Sequence, residues 1–195
     1  MGLRACRAAL MAVILATAIG CVGAEADTDL SSKEMQGRWW TWAASEPLKT
    51  NPVADKDGGL CARNQPDDVW FLAGTFGGKV KRSCTVPDDL PIAFPLVNKI
   101  GTDEQCEAFM DVAEGSATLD GEDLVSDTYR GELVEVDGAA SNPLTGKAGR
   151  LTDTACGLWV QIPPLEPGPH SLRIRGKAAD FSVEVGYSLT VESSS

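Results

Sequence analysis

The chain has 195 residues, with 28 acidic and 17 basic side chains and a formal net charge of −11. That balance excludes an ordinary nucleic-acid binder, whose affinity comes from Lys and Arg neutralising phosphates, and it works against docking on an anionic membrane surface. The length suits one domain with a full hydrophobic core.

Arg4 and Arg7 precede an apolar run from Ala8 to Ile19 that is broken only by Thr17. A transmembrane helix needs about 20 apolar residues, so this run fits the apolar region of a signal peptide instead. Two cleavage readings stay open. Val22-Gly23-Ala24 would end a signal peptide over 1–24, whereas Ala18-Ile19-Gly20-Cys21 resembles a lipobox that would end it at 20 and lipidate Cys21. In the second reading a lipid anchor is the membrane link. Either leader takes away two arginines and no acid, moving the charge from −11 to −13. With Cys6 in the leader and Cys21 at its end, four cysteines remain in the body, Cys61, Cys84, Cys106 and Cys156, and an even count in an exported chain reads as two disulfides.

Residues 25–31 are small and polar and read as a tether, followed by a single domain over 32–192 and a Ser193–Ser195 tail. Ser31-Ser32-Lys33-Glu34 is a capping-box signature. Met35, Trp39 and Trp42 follow at helical spacing, so a helix is expected up to Pro47. Residues 47–68 are rich in Pro, Gly, Asn and Asp and read as an ordered loop. Val69–Ala73 reads as a buried strand, Gly74–Gly78 as a turn and Val80–Val86 as its hairpin partner. Ile92–Val97 is a further strand despite its prolines. Thr102 with Gln105 opens a second helix, with Cys106, Phe109, Met110 and Ala113 on one face and Gly115 as its stop. Strands are expected at 116–119, 123–126 and 132–136, with Asp120-Gly121 as a hairpin turn. Leu158, Val160 and Ile162 alternate, as do His170, Leu172 and Ile174, and then Val183 through Val191. Short strands separated by turns give a mainly β fold: an antiparallel β-sandwich, jelly-roll or immunoglobulin-like, carrying two short helices. Cys61 and Cys84 flank the expected hairpin, and a Cys106–Cys156 bridge would pin the second helix to the strand near Leu158. Those are the expected pairs.

Trp39-Trp40-x-Trp42-Ala43-x-Ser45-x-Pro47 is followed by Asn51-Pro52, Asp55, Gly58, Cys61-Ala62, Gln65, Val69-Trp70-Phe71-Leu72-Ala73-Gly74 and Cys84-x-Val86-Pro87. This pattern resembles a family of uncharacterised exported bacterial proteins. The resemblance implies export and a single domain, and brings no activity with it. Asp88-Asp89 departs from the family's pattern, where a small residue and Gly are usual, and so does Cys156 beside Gly157.

Among chemical signatures, His170 is the only histidine, so any Ser-His-Asp machinery would have to use it. Its place at a strand start, on the face of Leu172 and Ile174, reads as structural. Gly74-Thr75-Phe76-Gly77-Gly78-Lys79 misses the phosphate-loop spacing by one residue and has Val80 where Ser or Thr is needed. Residues 103–137 carry twelve acids and one base, Arg130. Asp120, Glu122, Asp123 and Asp127 are the best calcium candidates there, with Asp55-Lys56-Asp57-Gly58-Gly59 a weaker one. Trp40 and Trp159 point away from their apolar neighbours in the sequence pattern and are candidates to stack on sugar rings. The expected function is an exported, envelope-associated or secreted non-enzymatic binding module, with glycan as one ligand class, no cofactor beyond calcium and no nucleic-acid partner. The alternative is an extracytoplasmic hydrolase acting through paired carboxylates.

Overall fold

Both capping boxes form as the sequence requires. Ser31 Oγ accepts the Glu34 amide at 3.4 Å while the Glu34 carboxylate accepts the Ser31 amide at 3.3 Å, opening α1 (Ser32–Ala43). Thr102 Oγ1 and Gln105 Oε1 make the same exchange at 3.3 and 3.1 Å, opening α2 (Asp103–Met110). The computed structural model describes residues 29–193. The expected leader, both cleavage readings and Cys21 lie outside them. Within the expected tether, Leu30 already belongs to the body, because its amide and carbonyl bond the Gln161 side chain at 2.9 and 3.0 Å.

Nine strands follow in chain order: β1 (Trp70–Phe71), β2 (Gly78–Pro87), β3 (Ile92–Gly101), β4 (Glu114–Leu119), β5 (Glu122–Leu124), β6 (Asp127–Gly138), β7 (Gly149–Ile162), β8 (Gly168–Ala178) and β9 (Phe181–Glu192). They form a first sheet in the order β1-β3-β7-β6 and a second in the order β2-β9-β8-β4-β5. Phe94, Leu96 and Val160 of the first sheet and Leu172, Ile174, Val185 and Leu189 of the second share one buried cluster. A second cluster lies between α1 and the first sheet, around Trp39, Trp42, Phe71 and Trp159.

The fold is mainly β with two helices, but the sheets are mixed rather than antiparallel. β1 runs parallel to β3, and β2 runs parallel to β9. Alternation of apolar residues reports that a segment is a strand and which side faces the core; it carries no strand direction. The same limit explains the missing hairpin. Residues 74–77 do turn, with Gly77 and Gly78 at φ 106° and 87°, but the turn passes the chain from one sheet to the other, and β1 and β2 never pair. Asp120-Gly121 does make its hairpin, with φ 53° and 96° and Leu119 opposite Glu122. α2 ends at Met110, short of Gly115, which is already in β4. A Cβ on Gly115 would lie 2.8 Å from Leu96 Cβ, so that glycine serves a close approach between the sheets instead of a helix stop. β3 accommodates Pro95 at a shift in its register against β7, where no ladder amide is needed.

Cys61–Cys84 and Cys106–Cys156 are both disulfide-bonded. The first bridge ties the irregular segment before β1 to β2, and the second fixes α2 on β7. Two disulfides suggest an oxidising, extracytoplasmic environment, and among the described residues no helix is long and apolar enough to cross a membrane.

Candidate functional site

The two candidate sugar-stacking tryptophans are both inside. Trp159 is 0% and Trp40 7% exposed, so neither offers a ring face to a pyranose. Trp159 meets Trp39 edge to face, centroids 5.6 Å apart, because α1 lies over the first sheet and covers the outward side of β7. Trp40 meets Trp39 the same way at 5.3 Å. The helix face is therefore wider than the i, i+4, i+7 stripe, and this widening overturns the stacking role.

Trp40 instead forms part of a cleft of ≈410 Å³ between α1, the 74–76 turn, β3 and the start of β9. Its other key walls are Phe76, Asn98, Lys99 and Phe181. Phe76 and Phe181 are 49% and 36% exposed, unusual for such large apolar groups. Trp40 Nε1 and Asn98 Nδ2 are both buried, and neither has a hydrogen-bond partner among the described residues. Leaving a buried donor unmade costs about 1–3 kcal/mol. No acid lines the cleft, although the chain has 28, and Lys99 is its single charged lining residue. A larger groove of ≈600 Å³ runs between α1 and β6, but Glu34 and Arg38 there are engaged with Ser31 and Asp68. Nothing in the sequence pattern singled out Asn98 or Phe181. Phe76, an aromatic residue inside a glycine turn, was the one visible signal.

The acidic candidates do not converge. Asp120 accepts the Ser171 amide at 2.7 Å and contacts His170 Nδ1 at 2.7 Å. Glu122 and Asp123 lie on β5, and Asp127 lies in the other sheet, where it accepts the Tyr129 hydroxyl at 3.3 Å. Burial, with Asp127 beside it, pushes that phenol up to about 12. Among the described residues no group of three or more His, Cys, Asp or Glu is placed to hold a metal ion. The Asp55–Gly59 loop is closed by its own amides: Asp55 accepts from Asp57 and Leu60 at 3.2 and 2.8 Å, and Asp57 from Gly59 at 3.1 Å. Burial pushes the Asp55 carboxyl up, yet these amides outweigh it and hold its pKa below 3.8.

His170 has both ring nitrogens engaged, Nδ1 with Asp120 and Nε2 with the Glu166 carbonyl at 2.9 Å. Two acceptors favour the doubly protonated ring, and the Asp120 bond, then the Glu166 bond, raise the pKa above 6.5. Asp120 is lowered from 3.8, first by the Ser171 amide and then by His170. The raised histidine contributes stability that is full below about pH 6.5 and lost as pH rises through its folded value; the lowered carboxyl contributes above about 3.8 and is lost on acidification. The melting-temperature gap between wild type and His170→Gln is therefore expected to be widest between about pH 4 and 6.5 and to narrow toward pH 9. Thermal melts across that range check it, and a gap that stays constant would refute the ion pair.

The residues that carry the family resemblance are mostly scaffold. Asn51 Nδ2 donates to the Ala43 and Glu46 carbonyls at 2.8 and 3.0 Å, Gln65 bridges Phe71 and Cys61, and Trp42 Nε1 donates to the Arg63 carbonyl at 2.8 Å. A Cβ on Gly58, at φ 97°, would overlap the Ser83 backbone. No family model matches the chain, and no curated protein or solved structure was found similar to it.

Proposed function

We propose that this protein is an exported, non-enzymatic binding module, its two packed sheets forming a β-sandwich whose cleft beside Trp40 takes a small amphiphile. The observation that carries the reading is a cleft of mostly apolar lining in which Lys99 is the single charge, and whose lining residues Trp40 and Asn98 hold buried side-chain nitrogens without a hydrogen-bond partner among the described residues. Ligand pockets of about 300–1,000 Å³ with an apolar lining and a few placed polar groups are the usual form of such sites. Lys99 on the wall, the two unpartnered donors buried behind it and the absence of any acid select an acceptor of negative charge. A monocarboxylate with an apolar tail meets all three conditions. This cleft does not supply the two converging carboxylates that the hydrolase reading needs.

Dodecanoate is the probe. Titrated below its micelle concentration into protein labelled with ¹⁵N at the tryptophan indoles, it is expected to shift the Trp40 Nε1–H signal saturably. The Trp42 signal, whose N–H is held by Arg63, should stay in place. A hydrogen bond to a charged group contributes about 1.5–3 kcal/mol, so Asn98→Leu should weaken binding roughly 10–100-fold, and dodecanol should bind more weakly than dodecanoate. Unchanged binding in Asn98→Leu, or no saturable Trp40 shift, would overturn the reading.

A further inference from the structure

The outward face of the second sheet carries a charge opposite to that of the chain. Strand alternation and register place Lys79 and Lys81 of β2, Arg173, Arg175 and Lys177 of β8 on one side of this sheet. Its acids are mostly spent or marginal. Glu184 holds Lys79 at 2.6 Å and lies 3.8 Å from Arg175; Glu114 holds Lys177 at 3.0 Å. Asp120, in a hollow with Ser171 and Arg173, is held by the Ser171 amide and His170, and Asp123 and Glu192 stand at the margins of the face.

Lys81 and Arg173 make no ion pair among the described residues, and they face each other across Gly186. Both pair with Gly186 in register, Lys81 from one side and Arg173 from the other. Two strand spacings put their Cα atoms about 10 Å apart. Gly186 leaves the floor between them open: a Cβ there would meet nothing nearer than Lys81 Cγ at 3.9 Å. The groove so formed has a volume of ≈260 Å³ and is lined by four cations, Lys79, Lys81, Arg173 and Arg175, against one acid, Glu184, whose carboxylate is held first by Lys79 and also feels Arg175 and Arg173. One step along the strands, Ser83, Ser188 and Ser171 stand in register across β2, β9 and β8, adding a row of hydroxyl donors.

We propose that this face docks an anionic polysaccharide, with a sulfate or phosphate ester seated over Gly186 between Lys81 and Arg173 and sugar hydroxyls along the serine row. Charge complementarity selects an anion, and the hydroxyl row suits a polymer rich in hydroxyls. The exposed large apolar residues Leu48, Phe76, Val112, Val125, Leu133 and Phe181 all lie off this face, so among the described residues it has nothing to insert into a bilayer. A net charge of −11 opposes a broad polyanionic surface, such as a DNA duplex or an anionic membrane, while leaving a narrow chain free to lie in the groove. The site is independent of the Trp40 cleft, and dodecanoate binding does not report on it.

Dextran sulfate is the test ligand, with unmodified dextran, duplex DNA and phosphatidylglycerol vesicles as the other arms. The full chain is expected to bind dextran sulfate and not dextran, with log Kd rising as salt is added because ion release accompanies the contact. Lys81→Glu with Arg173→Glu should abolish that binding, and Lys33→Glu with Arg150→Glu, the same charge change elsewhere, should weaken it far less. Gly186→Val fills the floor while keeping both cations and should weaken binding at least tenfold. Thermal melts establish that each variant is folded. Equal loss in the two charge-reversal variants would mean a diffuse electrostatic contact and would overturn the site. So would binding that survives both Lys81→Glu/Arg173→Glu and Gly186→Val, or a preference for duplex DNA or vesicles over dextran sulfate.

Discussion

Replacing Arg82 by Met should lower the unfolding free energy by about 3–5 kcal/mol, because several buried carbonyls lose a charged donor at about 1–3 kcal/mol each, partly offset as the site relaxes. Arg82 is 3% exposed. Its Nε donates to the Asp55 carbonyl at 2.9 Å, one terminal nitrogen to Val53 and Asp55 carbonyls at 3.0 and 2.6 Å, and the other to Ala73 and Gly74 carbonyls at 2.8 and 2.9 Å. The same nitrogen reaches the Tyr187 hydroxyl at 2.9 Å, and that hydroxyl in turn donates to the Ala73 carbonyl at 2.9 Å. One side chain thus satisfies the backbone of two irregular segments that no sheet ladder reaches. Met fills a comparable volume but offers no donor, leaving buried carbonyls unpaired. Lys keeps the charge with three donors on a point-like head, and cannot reproduce a planar fork, so Arg82→Lys should fall between wild type and Arg82→Met. Lys81→Met, exposed on the neighbouring position, should stay within about 0.5 kcal/mol. Guanidinium unfolding of the four proteins decides the matter; equal midpoints for Arg82→Met and Lys81→Met would refute the hub.

The second large effect is expected at the Cys106–Cys156 bridge. Its sequence separation is 50, for which the loop-entropy model gives about 4 kcal/mol, against about 3 kcal/mol for Cys61–Cys84 with a separation of 23. Changing Cys106 and Cys156 together to Ala should therefore cost more than changing Cys61 and Cys84. The damage should also be local. Of the residues in α2, only Cys106 and Met110 are buried, so without the bridge little apolar surface holds the helix down. Amide hydrogen exchange should show α2 losing its protection while β7 keeps its own. Retention of full protection in α2 would mean that Met110 and its neighbours suffice to dock it.

Helix positions, strand existence and the number of disulfides were legible in the sequence because each rests on local chemistry or on a count. Ser31 with Glu34 and Thr102 with Gln105 read as helix starts since both partners sit within one turn. Val183 to Val191 read as a strand since a period of two needs no knowledge of neighbours. The Cys61–Cys84 pair was found although the hairpin expected to bring it together does not exist; the bridge joins the loop before β1 to a strand of the other sheet.

What the tertiary structure decided is everything that depends on which distant segment lies alongside. The sequence shows Trp40 off the apolar stripe of its helix, and only the turn at 74–76 and β9 packed nearby make it a cleft wall. Alternation puts Arg82 on the inward side of β2 with Cys84 and Val86, and only the two loops folded over it supply the carbonyls that make it the buried hub. Lys81 and Arg173 stand 92 positions apart in the chain, and become neighbours through β9, which runs parallel to one and antiparallel to the other. Local pattern fixes a residue's element and its side; the free energy of burial and of pairing between remote strands fixes what stands opposite, and every candidate site in this protein is made of what stands opposite.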